Sequence, residues 1–318
     1  MSQPMDWLSR LLEMMPVSGR VDYRCFFGAP WRVAYDSAEA GEIPYHIVLA
    51  GSAILDDPVA GAPRRLVAGD ILLFPHGDAH MLHDGSGAEP AHSRKRATLA
   101  LTIDENDGTG ERLDLLCGRF VLSPAHERLV RGYLPSHLVV SAAEGTASTA
   151  RPGTSAQLAS LVGLMRLESA DENLGGYAML NALSTAMFAL TLRLASEATE
   201  APDGLLALAG HPRLAPALAA LFNEPARPWT LPELASLCAM SRATFIRQFQ
   251  QRLGRSAADL LTDIRMTVAA NELRNSSTST GAVAEAAGYQ SEAAFQRVFK
   301  QHMGVTPAQY RRQAQAGQ

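Results

Sequence analysis

Apolar residues follow three successive rhythms along the chain. Over residues 20–140 they come in short runs broken by Gly, Pro and Asp, such as Trp31-Arg-Val33, His46-Ile-Val-Leu49, Ile71-Leu-Leu-Phe74, residues 97–103 and Arg119-Phe-Val-Leu122. Short apolar runs bounded by turn residues predict strands. Several at this spacing favour a sandwich or barrel over a parallel sheet. Residues 89–96 and 104–111 are polar and read as loops or hairpin excursions. Residues 144–155, rich in Gly, Ser, Thr and Ala with Pro152, read as a linker. The rhythm then changes: residues 155–169 and 176–197 place Leu, Met, Ala and Val three and four apart, the helical spacing. These helices are too short for a domain of their own and suit a hairpin packed on the barrel or on a partner subunit. The pattern breaks over residues 198–204, and helices resume at about His211.

In the third region one polar and apolar pattern occurs twice, fifty residues apart. Ser241-Arg-Ala-Thr-Phe245-Ile-Arg247-Gln-Phe249 is followed by Gly254, and Ser291-Glu-Ala-Ala-Phe295-Gln-Arg297-Val-Phe299 by Gly304. Each copy follows a short Ala-rich helical segment, so the pair predicts two helix-turn-helix units. Thr230 with Glu233 fits a capping box, and Ser241 and Ser291 are placed to cap the second helix of each unit. Phe245 and Phe249, like Phe295 and Phe299, stand four apart and face the core. Arg242, Ala243, Thr244, Ile246 and Arg247 in the first copy, and Ser291, Glu292, Ala293, Gln296 and Arg297 in the second, remain to meet DNA. The major groove admits one α-helix whose side chains read base edges. Residues 256–274 carry Leu260, Leu261, Ile264, Val268 and Leu273 at helical spacing. One rigid helix there would hold the readers apart, and two successive major grooves lie ~34 Å from each other.

Charge sharpens this division. The 318 residues carry a net −4, but from Gly210 onward twelve Lys and Arg face seven Asp and Glu, leaving the front part strongly acidic. An acidic sensor joined to a basic nucleic-acid reader fits that asymmetry. No apolar run approaches the ~20 residues of a membrane span, and residues 1–10 lack the layout of a secretory signal. Three cysteines, Cys25, Cys117 and Cys238, speak against a disulfide framework and for a reducing compartment. The expectation is a soluble cytoplasmic protein.

The stretch from Trp229 to Arg312 resembles the DNA-binding domain of the AraC/XylS family. The residues that carry the likeness are Leu253-Gly254, the central helix, Gly288-Tyr289-Gln-Ser291, Phe295-Gln-Arg297-Val-Phe299-Lys300 and Gly304-Val-Thr-Pro307-Ala-Gln-Tyr310-Arg311. The resemblance implies two helix-turn-helix subdomains on an asymmetric double-stranded site. It places Ala243, Ile246 and Arg247, and Ala293, Gln296 and Arg297, at base-facing positions. Ala243 and Ile246 stand where some relatives have large or polar groups, which points to contact with thymine methyls.

Gly69-Asp-Ile-Leu-Leu-Phe-Pro75-His-Gly77-Asp-Ala-His80 fits the second cupin signature, Gly-x5-Pro-x-Gly-x2-His. The segment from His46 to Gly51 resembles the first cupin strand but lacks the His-x-His and Glu that bind metal in cupin enzymes. His46, His80 and His83 are candidates for an effector pocket or a metal, since imidazole suits several transition metals. His83, however, lies three from His80, and an odd spacing puts strand neighbours on opposite faces. The whole front half resembles the cupin-type sensor of a subset of this family, in which the barrel senses a chemical signal and the following helices dimerise. The opening residues and the Cys25/Cys117 placement are similar to reactive-chlorine-responsive members, where matching cysteines sense oxidant. A sensing thiol must be accessible and partly ionised, and Arg24 and Arg119 could favour a thiolate if they point toward it. The alternative is that both cysteines are small buried hydrophobes.

The expected architecture is therefore an α+β, two-domain chain: a cupin-like barrel sensor at 1–150, a helical dimerisation segment at 151–205, and an all-α double helix-turn-helix domain at 206–318. The expected function is a DNA-binding transcriptional regulator, an activator by resemblance, working as a homodimer with RNA polymerase and governed by a small-molecule or oxidant signal. No enzyme activity and no cofactor are expected. The alternative is a metal-dependent cupin enzyme with an accessory DNA-binding domain.

Overall fold

The computed structural model describes residues 5–56, 61–142 and 152–316, and the chain divides into two compact units. The strand-rich unit comprises Val17–Leu122 and Pro135–Pro202. Its strands are β1 (Ser18–Gly28), β2 (Arg32–Tyr35), β3 (Glu42–Ala50), β4 (Ser52–Asp56), β5 (Arg64–Val67), β6 (Asp70–Leu73), β7 (His80–His83), β8 (Ser93–Ala97), β9 (Thr102–Asn106), β10 (Arg112–Val121) and, after an excursion into the other unit, β11 (Leu138–Ser141). They form a seven-stranded sheet in the order β11-β6-β3-β10-β1-β9-β8 and a four-stranded sheet in the order β2-β7-β4-β5. One apolar core takes side chains from both sheets, among them Phe27, Val48, Leu55, Leu66, Leu72, Leu82, Leu113 and Leu115. The alternation of inward and outward residues along β7 and β4 makes that possible, because successive strand side chains point to opposite faces.

Helix α4 (Gly176–Glu197) packs on the larger sheet, chiefly against β1, and α3 (Pro152–Glu168) packs on α4; the excursion supplies α2 (Glu127–Tyr133). Gly118 on β10 makes room for this layer: a Cβ there would stand 2.5 Å from the Tyr45 hydroxyl. That hydroxyl donates to the Arg20 carbonyl at 3.0 Å and accepts from Ser184 of α4 at 2.9 Å. Although no segment was expected to reach membrane-spanning length, α4 does, with 22 residues and a mean hydropathy of 1.4. Its apolar stripe, including Leu180, Met187, Phe188 and Leu192, is buried in the unit.

The helical unit is assembled from three stretches, Met1–Pro16, Ser123–Leu134 and Asp203–Gln318. It contains α1 (Trp7–Met14), the inserted α2, and then α5 (Leu205–Gly210), α6 (Ala215–Asn223), α7 (Leu231–Leu237), α8 (Arg242–Leu253), α9 (Ala257–Asn275), α10 (Thr280–Ala286), α11 (Glu292–Met303) and α12 (Pro307–Ala316). Helix α1 starts on an Asp6 cap and docks on α6, where Asn223 bonds both the amide and the carbonyl of Met5. Boundaries at 150 and 205 would instead pass α1 and α2 to the barrel.

Several local expectations change. Of residues 89–96, read as loops or hairpin excursions, residues 93–96 take the second form: they open β8, which pairs antiparallel with β9 and so satisfies the backbone of a wholly exposed strand. The run 97–103 is not one strand: Thr98 accepts the amides of Ala100 and Leu101 and turns the chain between β8 and β9. Strand β9 extends to Asn106, whose side chain bonds both backbone groups of Gly28. Helix resumes at Leu205, not at His211. Of the stretch 144–155, residues 144–151 lie outside the described residues, and α3 begins at Pro152.

Candidate DNA interface and barrel site

The two copies of the repeat fold alike. In both, a serine caps the helix by accepting the amide three residues on, two phenylalanines four apart are buried, and a left-handed glycine ends the helix, Gly254 at φ 74° and Gly304 at φ 76°. The ring centroids are 5.3 Å apart in Phe245–Phe249 and 5.5 Å in Phe295–Phe299. Burial follows the same order over residues 241–250 and 291–300, so Arg242, Ala243, Ile246 and Arg247, like Glu292, Ala293, Gln296 and Arg297, are exposed. An open, mixed apolar and cationic face on α8 suits thymine methyls and guanine edges. On α11, Gln296 donates to Glu292 at 2.8 Å, so part of that face is held by its own neighbour. Thr244 and Ser291 are less free than their neighbours, because the Thr244 hydroxyl accepts from Ser241 and the Ser291 hydroxyl caps α11.

Both readers are tied to the bridging helix α9 through one carboxylate. Asp263 is 4% exposed. Its Oδ2 accepts from the Tyr133 hydroxyl at 2.5 Å and from Arg255, just after α8, at 3.3 Å. His302, on the last turn of α11, lies 3.3 Å from Oδ1, and Arg128 of α2 lies 3.6 Å away. A buried carboxylate costs several kcal/mol in lost hydration, which such partners must offset. Burial lowers the His302 pKa against the pull of Asp263, while burial and then the Asp263 bond raise that of Tyr133. The first reader, the second reader and the inserted α2 therefore meet at one group.

In the barrel, register brings a second polar set together. Cys117 pairs directly with His46 across β10 and β3, and Tyr35 with His80 across β2 and β7. Cys25 sits opposite Leu115, placing it on the same sheet face as Cys117 and diagonal to it. The contacts form a chain. His80 Nδ1 lies 3.0 Å from the Asp78 carbonyl, His80 Nε2 lies 2.8 Å from His46 Nε2, and His46 Nδ1 lies 3.1 Å from Cys117 Sγ. A carbonyl only accepts, so His80 carries its proton on Nδ1, and its Nε2 must accept from His46. His46 then has only Nδ1 left, and one proton is shared between that nitrogen and the Cys117 sulfur. Phe74 and Tyr35 stack on the His80 ring, at 3.6 and 4.8 Å between centroids. Burial, then the His46 charge, push the His80 pKa down to about 3, so it stays neutral.

Burial alone would raise the Cys117 pKa. Hydrogen bonds from Cys25, His46 and Tyr35, with the His46 charge, outweigh it and hold this thiol well below the ordinary value. The Cys25 thiol is pushed well up by donating to Cys117 and by burial. Of the two thiols, Cys117 therefore gives up its proton more readily than Cys25.

Two domain families match the chain, Cupin over residues 6–197 and a helix-turn-helix domain over residues 234–313. The chain belongs to the AraC-type transcriptional regulators that carry a cupin domain. This regulator is 29% identical to an uncharacterized HTH-type transcriptional regulator of Haemophilus influenzae, over 97% of this chain and 99% of that one. It is 29% identical to the HTH-type regulator MtrA of Neisseria gonorrhoeae over 97% and 99% of the two chains. It is 26% identical to the RCS-specific activator RclR of Escherichia coli over 96% and 97%. These are regulators, not enzymes, by name.

Within the regulator's barrel, the structure brings His46 and His80 together but leaves His83 out. His83 faces the other way on β7, accepts from the Gly85 amide and lies 3.2 Å from Asp56. Nor do the two inner histidines bracket an ion. Nitrogens sharing a tetrahedral metal at ~2.0–2.1 Å stand about 3.3 Å apart, farther than the 2.8 Å observed. Among the described residues no group of three or more His, Cys, Asp or Glu is arranged to hold a metal. The arginines suspected of favouring a thiolate do not do so. Arg24 pairs with Asp114 and bonds the Arg166 carbonyl and Ser169, and Arg119 pairs with Asp22 and Glu42. Cys238 is buried in the helical unit. Sequence reasoning missed Tyr35, Phe74 and the Asp78 carbonyl, and in the helical unit Asp263, Tyr133, Arg128 and His302. Only Phe74 and Asp78 carried a signal, as members of the Gly69–His80 motif.

Proposed function

We propose that this regulator is a cytoplasmic transcription activator controlled by a two-electron oxidant, with Cys117 as the reactive thiol and Cys25 as the thiol that captures its product. The observation that carries this reading is the hydrogen-bonded chain ending on Cys117 Sγ, which leaves the sulfur, not a histidine, as the group able to change state. With hypochlorous acid as oxidant, the Cys117 thiolate gains oxygen to become a sulfenic acid, and the chlorine leaves as chloride, reduced by two electrons. The Cys25 sulfur then bonds to the sulfenic sulfur, the S–O bond breaks, and water leaves with the Cys25 proton. Diagonal strand neighbours have Cα atoms ~7–8 Å apart, beyond the usual disulfide range. Closure therefore pulls β1 and β10 out of their present register, which is already irregular between Val21 and Tyr23. That the similar E. coli protein is named RCS-specific supports the same reading.

For the DNA, the reading places α8 and α11 in successive major grooves of an asymmetric operator, with Ala243, Ile246, Arg247, Ala293, Gln296 and Arg297 toward base edges. Homodimerisation is assigned to α3, α4 and the turn between them, where Leu164 and Leu167, Leu174 of the turn, and Tyr177 and Met179 are exposed; the polymerase would then be contacted from the bound dimer. The test uses the full chain, a DNA fragment it selects from random sequence, and in vitro transcription with and without one equivalent of hypochlorous acid. The wild type is expected to lose two thiols and change its transcription output. Cys25→Ser is expected to stop at a sulfenic acid that dimedone traps. A Cys117→Ser protein that still responds fully overturns the proposal.

A further inference from the structure

Cys117 is only 4% exposed, so its chemistry depends on a way in. A cavity of about 530 Å³ opens beside β2 and β7, and Tyr35, His80, Met81, Ala34, Asp36 and Asp56 are among its walls. Tyr35 belongs to this cavity and to the sulfur alike, since its ring lies on His80 and its hydroxyl stands 3.7 Å from Cys117 Sγ. One aromatic ring therefore divides the cavity from the thiol. That ring sits at the end of β2, an edge strand paired to β7 alone, where local opening costs less than in a strand paired on both sides.

The walls also have a chemistry. The side chains of Ala34, Ala62, Pro63, Ala79 and Met81 offer an anion no donor in exchange for its water. Two carboxylates, Asp36 and Asp56, stand at the cavity, and no lysine or arginine is among its described lining residues. Arg65, on the neighbouring β5, is turned to the Ser52 hydroxyl, and His83 lies against Asp56. A cleft lined by one sign of charge with low-dielectric walls focuses its field on whatever enters.

We propose that this cavity is the port through which oxidant reaches Cys117, that Tyr35 is its gate, and that its carboxylates admit neutral oxidants and repel anionic ones. The proposal rests on Cys117 being the reactive thiol. It selects for undissociated hypochlorous acid or a peroxide over hypochlorite and other anions.

The test reads access directly, by labelling Cys117 in the full-length protein and locating the label by peptide mass. Two disulfide reagents are compared, neutral 2,2′-dithiodipyridine and dianionic 5,5′-dithiobis(2-nitrobenzoate), each referenced to free cysteine. The neutral reagent is expected to be favoured at Cys117 by about tenfold more than at free cysteine, the scale of two carboxylates acting on a dianion through partly screened solvent. Asp36→Lys, on an exposed position, should bring that preference back toward the free-cysteine value. Tyr35→Ala should speed labelling by both reagents, while Tyr35→Phe, which keeps the ring, should leave the preference intact. No preference in the wild type, or one that Asp36→Lys leaves unchanged, overturns the port. Fast, selective labelling in a protein whose transcription ignores oxidant instead overturns the redox reading and leaves the port standing.

Discussion

The readers α8 and α11 have the same skeleton and different faces. Each has a serine cap, a buried phenylalanine pair and a left-handed glycine, but Arg242 and Ile246 in one stand where Glu292 and Gln296 stand in the other. The turns before them differ as well. Three residues separate α7 from Ser241, with Ala239 at φ 48°, whereas four separate α10 from Ser291, with Gly288 at φ 78°. What is duplicated is the means of holding a helix with one face exposed, and what has diverged is the set of side chains on that face. The contacts to Asp263 extend the contrast: the first reader reaches that carboxylate through Arg255 beyond its C-terminal glycine, the second through His302 within the helix.

Four pairs of substitutions would break or sharpen this comparison. If the skeletons are equivalent, Phe249→Ala and Phe299→Ala should each cost about 3–5 kcal/mol in denaturant unfolding, and a large inequality would mean that one helix is held by something else. Gly288→Ala should cost about 1–3 kcal/mol, since a Cβ there would stand 2.5 Å from the Ala226 carbonyl; Ala239→Gly should change stability by less than about 1 kcal/mol, because relieved strain is offset by a freer unfolded chain. On the diverged faces, Arg247→Ala and Arg297→Ala should each weaken operator binding by about 1–3 kcal/mol and relax preference at different positions, which selection from random DNA would show. Loss at the same positions would contradict two separate readings. Last, Ser241→Ala and Ser291→Ala should each lower stability by about 1 kcal/mol, and hydrogen exchange at the amides of Thr244 and Ala294 would locate the loss.

The reader half was legible because its determinants are local. A cap, an i, i+4 phenylalanine pair and a terminal glycine act within one or two turns, so residues 241–254 and 291–304 state their own geometry. The capping box predicted at Thr230 and Glu233 is present for the same reason. The barrel was legible only where a motif carried it, as in Gly69 to His80. Whether His46 faces Cys117 depends on the register of β3 against β10, and a slip of one residue would turn either side chain to the other face. Tyr35 offers no signal at all, since a tyrosine ending a short strand predicts nothing about the sulfur 82 positions on. Asp263 was hidden because an aspartate within a helix usually faces water, and its partner Tyr133 lies 130 residues earlier. The suggested roles of Arg24 and Arg119 failed on adjacency, because each is claimed by a carboxylate that sequence proximity to a cysteine does not reveal.

The insertion of α2 between β10 and β11 has a consequence for how this protein can be recombined. The chain passes from one unit to the other after Pro16, Leu122, Leu134 and Pro202. A chimera made by a single crossover before α5 would import Asp263 without its own Tyr133 and Arg128, and α6 without the helix that docks on it. Residues 5–16 and 123–134 must travel with the carboxy-terminal segment for the graft to arrive whole. A carboxy-terminal segment moved alone would leave these partners behind, so a graft that keeps every one of them transplants three pieces of chain at once.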